Sequence, residues 1–286
     1  MEQAASGLIE HFGGMTKALL ISVAVFVPLE RLFPIRAGQR VLRAHWRNDL
    51  VFYFANSLLI ASGLIAIIAV VDVFGRMLIP QSFRAAVAAA PLPLQIVVLL
   101  LLNDLGFYAV HRMFHSVPAL WRIHAVHHSI EEMDILAGSR VHPIDQTLTK
   151  GVSLAPGFLL GFSAEAIAAL ALLYAVQSRL IHCNHCNVRF GGGFLRGIFV
   201  TPEFHHWHHA NEAGAYDKNF AGQIALIDRL FGTAKLTNGD YPSVYGVDVP
   251  MPQNYVEQFF LPFRKNETAP APAQVAKSSG SPLARP

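Results

Sequence analysis

Residues 50–71, LVFYFANSLLIASGLIAIIAVV, run for 22 residues without a charge. At about 1.5 Å rise per residue, a helix of this length crosses a hydrocarbon core of about 30 Å. A second uncharged run covers residues 85–103 and continues through LGFYAV to residue 110, interrupted only by Asp104. An earlier segment, ALLISVAVFVPL at residues 18–29, is shorter and contains Pro28, so Lys17 and Arg31 would have to snorkel from its ends. Glu30 and Arg31 follow it where a signal peptide would have a small-residue cleavage site, and it reads as a retained anchor. A fourth apolar block, residues 151–178, is broken by Gly161, Phe162, Ser163 and Glu165. Composition agrees: 14% of residues are charged, against about 25% in soluble domains, and mean hydropathy is +0.38. These values exclude a disordered chain and an ordinary soluble enzyme. Two cysteines, Cys183 and Cys186, exclude a disulfide scaffold, and a net charge of +3 is too small to argue for nucleic acid.

Loop charges suggest an orientation. Arg31, Arg36, Arg40, Arg43 and Arg47 lie between the first two apolar segments, and only Arg76 and Arg84 between the next two. The positive-inside rule puts residues 31–49 in the cytoplasm and 72–90 outside, and the third segment then delivers residues 111–150 to the cytoplasmic side. From about residue 265 the chain is rich in Pro, Ala and Ser and reads as a disordered tail.

Histidine is the unusual residue. Twelve of fourteen fall between residues 111 and 209, as HRMFH, HAVHH, VHP, HCNHC and HHWHH. His111 and His115 are i,i+4 and share a helix face. His124, His127 and His128 repeat the spacing of His205, His208 and His209, and each trio covers a stripe of roughly 100°, narrow enough for three imidazoles to converge on one point. Asp104, Tyr108, His111 and His115 also share a stripe, which makes Asp104 a candidate for orienting a ligating imidazole, with capping of a neighbouring element as the alternative. Neutral imidazole binds Zn, Fe, Cu and Ni. One tetrahedral zinc takes four ligands at most, so nine or ten clustered histidines imply two metals, or one metal and unused donors. Without carboxylates in the clusters an oxygen-rich Mg or Ca site is excluded. Two irons with positions open to O2 is the natural use, and zinc is the competitor. For all the histidines to reach the same metals, residues 151–178 must return as a helical hairpin, turning near Gly161–Ser163.

The segments DLGFYAVHRMFH, WRIHAVHHS, SRVHPID, NHCNVRF, TPEFHHWHHA and IDRLFGT resemble, in order, those of the fatty acid hydroxylase / sterol desaturase superfamily. The likeness covers roughly residues 45–235, including Trp46, Asn48 and Asp49. The resemblance implies an integral membrane di-iron oxygenase that hydroxylates, demethylates or desaturates a lipid (sterol, fatty acyl or related) with O2 and two electrons. It implies metal ligands at His111, His115, His124, His127, His128, His185, His205, His208 and His209, and His142 as a ligand or its support. Asp104, Tyr108, His182, His206 and Asn187 become supporting candidates. His11 and His45 are excluded by position, a zinc site on Cys183 and Cys186 is a weak competitor, and Arg112 and Trp121 read as structural.

The expected fold is all-α: about four spans, or two spans plus a helical hairpin, with a cytoplasmic helical cap holding two metals. Residues 1–92 are expected to form the membrane anchor, 93–262 the catalytic domain and 263–286 the tail. The only His-Pro, at His142, lacks the following glycines of a cytochrome b5 domain, so electrons are expected from a separate ferredoxin or cytochrome b5 type donor. With neither a dilysine tail nor a KDEL-type signal, the expected location is a bacterial inner membrane. Two rivals remain: an ether-lipid mono-oxygenase that uses a pterin, and a metal-binding transporter or sensor. The transporter would spread ionisable residues through the spans, whereas here they gather at one face.

Overall fold

The computed structural model describes residues 2–190 and 193–264, and for residues 2–5, 175, 177–182 and 194 the backbone alone. The expected tail beyond residue 264 and the side chain of His182 lie outside the described residues. The described residues are helical, with two isolated bridges, Pro34–Val188 and Ala210–Tyr245, and no strands. Helices α1 (Glu2–Leu32), α2 (Trp46–Leu78) and α4 (Leu92–Ser116) are long and apolar enough to cross a membrane. The run expected to begin at residue 85 is divided. A short helix α3 (Gln81–Ala89) ends ahead of Pro91, whose ring sets the backbone and leaves Pro93 in the first turn of α4.

Helices α6 (Pro143–Leu159) and α7 (Ala164–Asn184) form the expected hairpin. The turn needs Gly161, whose φ of +79° is disfavoured for residues with a Cβ. Helix α6 packs against both α2 and α4. Its approach to α2 is close because Gly63 has no side chain: a Cβ there would stand 2.5 Å from Thr147 Cγ2. Small residues let helices meet where lipid provides no hydrophobic drive. The N-terminus of α6 is capped by His142, whose Nδ1 accepts the Ile144 N–H at 3.2 Å, with Pro143 at the first helical position.

The cap consists of α5 (Pro118–His128), α8 (Pro202–His208), α9 (Ala225–Leu230), α10 (Tyr255–Phe260) and the connecting loops. An ion cluster ties it to the start of α2. Asp49 pairs with Arg43 and, at 2.6 Å, with Arg140, while Arg43 Nε reaches Asp134 at 2.7 Å. All four side chains are buried. Arg43, one of the five loop arginines counted for orientation, therefore serves the interior of the cap. At the end of α1, Glu30 is likewise buried and accepts the N–H groups of Ile135 and Asn187, each at 3.0 Å.

Candidate metal centre

Helix α4 directs one stripe inward. Gln95, Leu99, Asn103, Asp104, Tyr108, His111 and His115 are all buried on it, so the expected stripe is present. Its last two members meet histidines from α5, from the end of α7 and from α8. Nine side chains form two groups: His111, His115, His124, His128 and His208 in one, and His127, His185, His205 and His209 in the other. In each group one nitrogen per ring lies within 4.8 Å of all the rest. Neither H-x-x-H-H trio converges on one point as expected. The i,i+4 pair of each trio goes to one group and the i+3 member to the other: His124 and His128 part from His127, and His205 and His209 from His208. Four residues bring the helix back to nearly the same face and three fall about 60° short, so each trio serves both groups.

Ring orientation is set from outside the groups. His111 Nδ1 donates to the Phe220 carbonyl at 2.7 Å, His127 Nδ1 to the Arg140 carbonyl at 2.9 Å and His208 Nδ1 to the Lys218 carbonyl at 2.9 Å. His124 Nδ1 donates to Asp145 Oδ2 at 2.6 Å. A proton held on Nδ1 leaves a lone pair on Nε2, and these lone pairs face one another. His111 and His124 both have Nδ1 engaged in this way, yet their Nε2 atoms stand 3.2 Å apart. Without a cation between them such a pair is repulsive. In the second group Nε2 of His185 lies 3.3 Å from His127, 3.2 Å from His209 and 3.0 Å from His205. Nε2 of His115 is buried with no hydrogen-bond partner among the described residues. Burial, reinforced by the neighbouring imidazoles, holds His127, His128, His205, His208 and His209 well below the usual imidazole pKa, so these are neutral donors at pH 7. The donor set therefore fits metal ions. With nitrogen alone in both groups it suits iron, zinc, copper or nickel.

Several expected supporting residues sit elsewhere. His142 is in neither group. Its Nε2 donates to the Phe259 carbonyl at 3.0 Å and its Nδ1 caps α6, so no ring nitrogen is left for a metal. Asp104 bonds no histidine: its carboxylate accepts the N–H groups of Gly222, Gln223 and Ile224 and holds that loop. Tyr108 bonds Thr233 and reaches the site through Phe220, whose ring packs against His111, His115 and His208. Asn187 exchanges hydrogen bonds with the backbone of Arg36. His206 is bonded to the Tyr245 hydroxyl and the Cys186 carbonyl, and burial pushes its pKa down to about 3. Cys186 lies in an apolar cluster with Ile135 and Val188, and neither cysteine joins a metal group. The carboxylate that orients a ring is Asp145, three residues after His142. The motif SRVHPID contains it, and the i,i+4 stripe on α4 drew attention to Asp104 instead.

A cavity of about 580 Å³ opens beside the histidines, walled largely by apolar side chains of α2, α4, α6 and α7. Phe107 and Gly138 form its end nearest the site. The Phe107 ring packs on His111, and a Cβ on Gly138 would come within 2.9 Å of His185 Nδ1.

Residues 96–233 match the family model for fatty acid hydroxylase. They belong to the fatty acid hydroxylase family. An ornithine lipid hydroxylase of Rhizobium tropici is 26% identical over 254 residues, covering 86% of this chain and 74% of that protein. Alkylglycerol monooxygenase of Homo sapiens is 32% identical over 52% of this chain. A very-long-chain aldehyde decarbonylase of Oryza sativa is 30% identical over 44% of it. The chain spans 32% of the length of that alkylglycerol monooxygenase and 21% of that decarbonylase. No solved structure matches it. With a match to the fatty acid hydroxylase family and lipid hydroxylases and monooxygenases among its relatives, this integral membrane chain is an oxidoreductase.

Proposed function

We propose that the chain is a di-iron oxygenase that hydroxylates or desaturates a membrane lipid. The observation that carries this reading is the pairing of two all-nitrogen groups, with lone pairs facing inward, and an apolar cavity that ends against both. Iron bound by His111, His115, His124, His128 and His208, and by His127, His185, His205 and His209, would supply the activation of O2 that oxidation of an unactivated C–H bond requires. The protein's own contribution is placement and exclusion of water. Asp145 and the carbonyls of Phe220, Arg140 and Lys218 hold the rings in register, Phe220 and Trp121 pack over them, and the cavity walls orient the hydrocarbon. Electrons come from a separate ferredoxin or cytochrome b5 type donor. The membrane is a bacterial inner membrane, with the metal groups toward the cytoplasm and residues 93–262 as the catalytic unit.

Metal analysis of the purified chain tests the reading: about two irons per chain are expected from two nitrogen groups of this size. A single exchangeable zinc with no O2 consumption overturns it. His127→Ala should abolish turnover with the fold retained. Comparing lipids of cells with and without the protein then identifies the substrate by its lost hydroxyl or double bond. A second reading, an ether-lipid mono-oxygenase that takes electrons from a pterin, draws support from the 32% identity to alkylglycerol monooxygenase over half of the chain. Turnover with reduced pterin and not with reduced ferredoxin would select it.

A further inference from the structure

Lys150 lines the cavity between α2, α4, α6 and α7. Its Nζ donates to Gln146 Oε1 at 2.9 Å, one turn earlier on α6. Among the described residues no carboxylate stands within ion-pair distance of it. Asp104 is the acid on the same cavity, and its two oxygens are taken by three backbone N–H groups. Of the other polar side chains on the wall, Asn56 bonds the Val141 carbonyl and the Tyr255 hydroxyl and Ser57 bonds His11, while the neutral hydroxyl of Ser139 is buried without a hydrogen-bond partner among the described residues. Lys150 is thus an exposed cation without a counter-charge, on a helix packed against two helices of membrane-spanning length. An unpaired charge among such helices marks a functional site whose partner can be sought.

The cavity places it usefully. Asp145, which holds His124, precedes Lys150 by five residues on α6, about 7.5 Å along the axis. An amphiphile with its hydrocarbon against Ile60, Leu64 and Leu154 can bring a terminal anion to Lys150 while part of its chain passes the histidines. We infer that Lys150, steadied by Gln146, binds an anionic group of the substrate, a carboxylate or a phosphate ester. Lys150 is then the residue by which the site prefers an anionic amphiphile to a neutral one. The inference rests on the oxygenase reading for its view of the cavity as the substrate site.

The test is equilibrium binding of dodecanoate, dodecyl phosphate and dodecanol to the full chain as purified, in nanodiscs of neutral phosphatidylcholine at pH 7.5. Iron content is measured on the same samples. The wild-type chain should bind at least one anion about tenfold more tightly than dodecanol, the scale of one charge-assisted hydrogen bond. Lys150→Met should bring that anion to the dodecanol level and leave dodecanol binding unchanged, and Lys150→Arg should keep the preference. Tighter binding of dodecyl phosphate than dodecanoate identifies a phosphate-bearing lipid, and the reverse order a fatty acid. Equal binding of all three by the wild-type chain overturns the inference without any variant, as does a preference that survives Lys150→Met. Anion preference in a chain that binds no iron would sink the oxygenase reading and leave the Lys150 assignment standing.

Discussion

At the residue scale, two aspartates and one histidine divide structural from ligand-orienting work. Asp145 accepts the Nδ1–H of His124, and a carboxylate in that position both orients the ring and raises its basicity. Asp145→Ala is expected to lower metal affinity by about 10- to 100-fold with the helical signal retained, as read by metal retained on dialysis against a chelator. Asp104→Ala should act differently. It strips three backbone N–H groups of their acceptor, so it should cost about 1–3 kcal/mol of stability while the purified chain keeps its metal. If the two variants lost metal equally, the separation drawn between them would fail. His142→Ala belongs with Asp104, since loss of an N-cap costs about 1 kcal/mol and neither metal group loses a donor.

Helices decide how these residues meet. The seam between α2 and α6 closes on Gly63, and that between α4 and α6 on Gly106, where a Cβ would lie 3.2 Å from Ser153 Cα. Since α6 carries Asp145 and α4 carries His111 and His115, both seams position the metal groups. Gly63→Leu should force α2 from α6 and cost about 1–3 kcal/mol, the usual price of overpacking. A lowered melting temperature in detergent and a smaller bound-metal fraction would report it, and unchanged values for both would contradict the close packing described. The hairpin was legible from residues 151–178 because the apolar run is interrupted at Gly161, where the backbone turns. The division of residues 81–116 at Pro91 was not expected, since α3 is itself apolar and uncharged after Arg84.

At the scale of the whole molecule, the cap concentrates neutral imidazole that only a metal can use. His127, His128, His205, His208 and His209 keep lowered pKa values in the folded chain, whereas in the unfolded chain they titrate near 6.5. Below about pH 6.5 the unfolded state therefore binds more protons, and stability falls as pH falls, by up to about 1.4 kcal/mol per pH unit for each such group. The melting temperature of metal-stripped protein should be flat above about pH 7 and drop on acidification toward pH 5. A profile flat to pH 5 would refute the neutral, buried state of the groups. Adding ferrous iron at about 100 times its dissociation constant should raise stability by about 2.7 kcal/mol at neutral pH, measured by the same melting curves.

What the chain's linear order determined was periodic or local: spans from uninterrupted apolar runs, a hairpin from its break, and shared helix faces from histidines three and four residues apart. It was the family resemblance that named the nine grouped histidines as ligands, among them His185, which has no histidine four residues away. Pairing was not periodic, and only the tertiary structure decided it. Which histidine joins which group depends on how α5 and α8 are rotated against α4. Whether a carboxylate serves a ring or a loop depends on what lies within about 3 Å of it, since hydrogen bonds act at contact range. Asp104 shares a stripe with His111 yet faces the loop at residues 222–224, and Asp145 reaches His124 from a different helix. His142 looked like the grouped histidines, but as the N-cap of α6 it satisfies backbone groups on both sides.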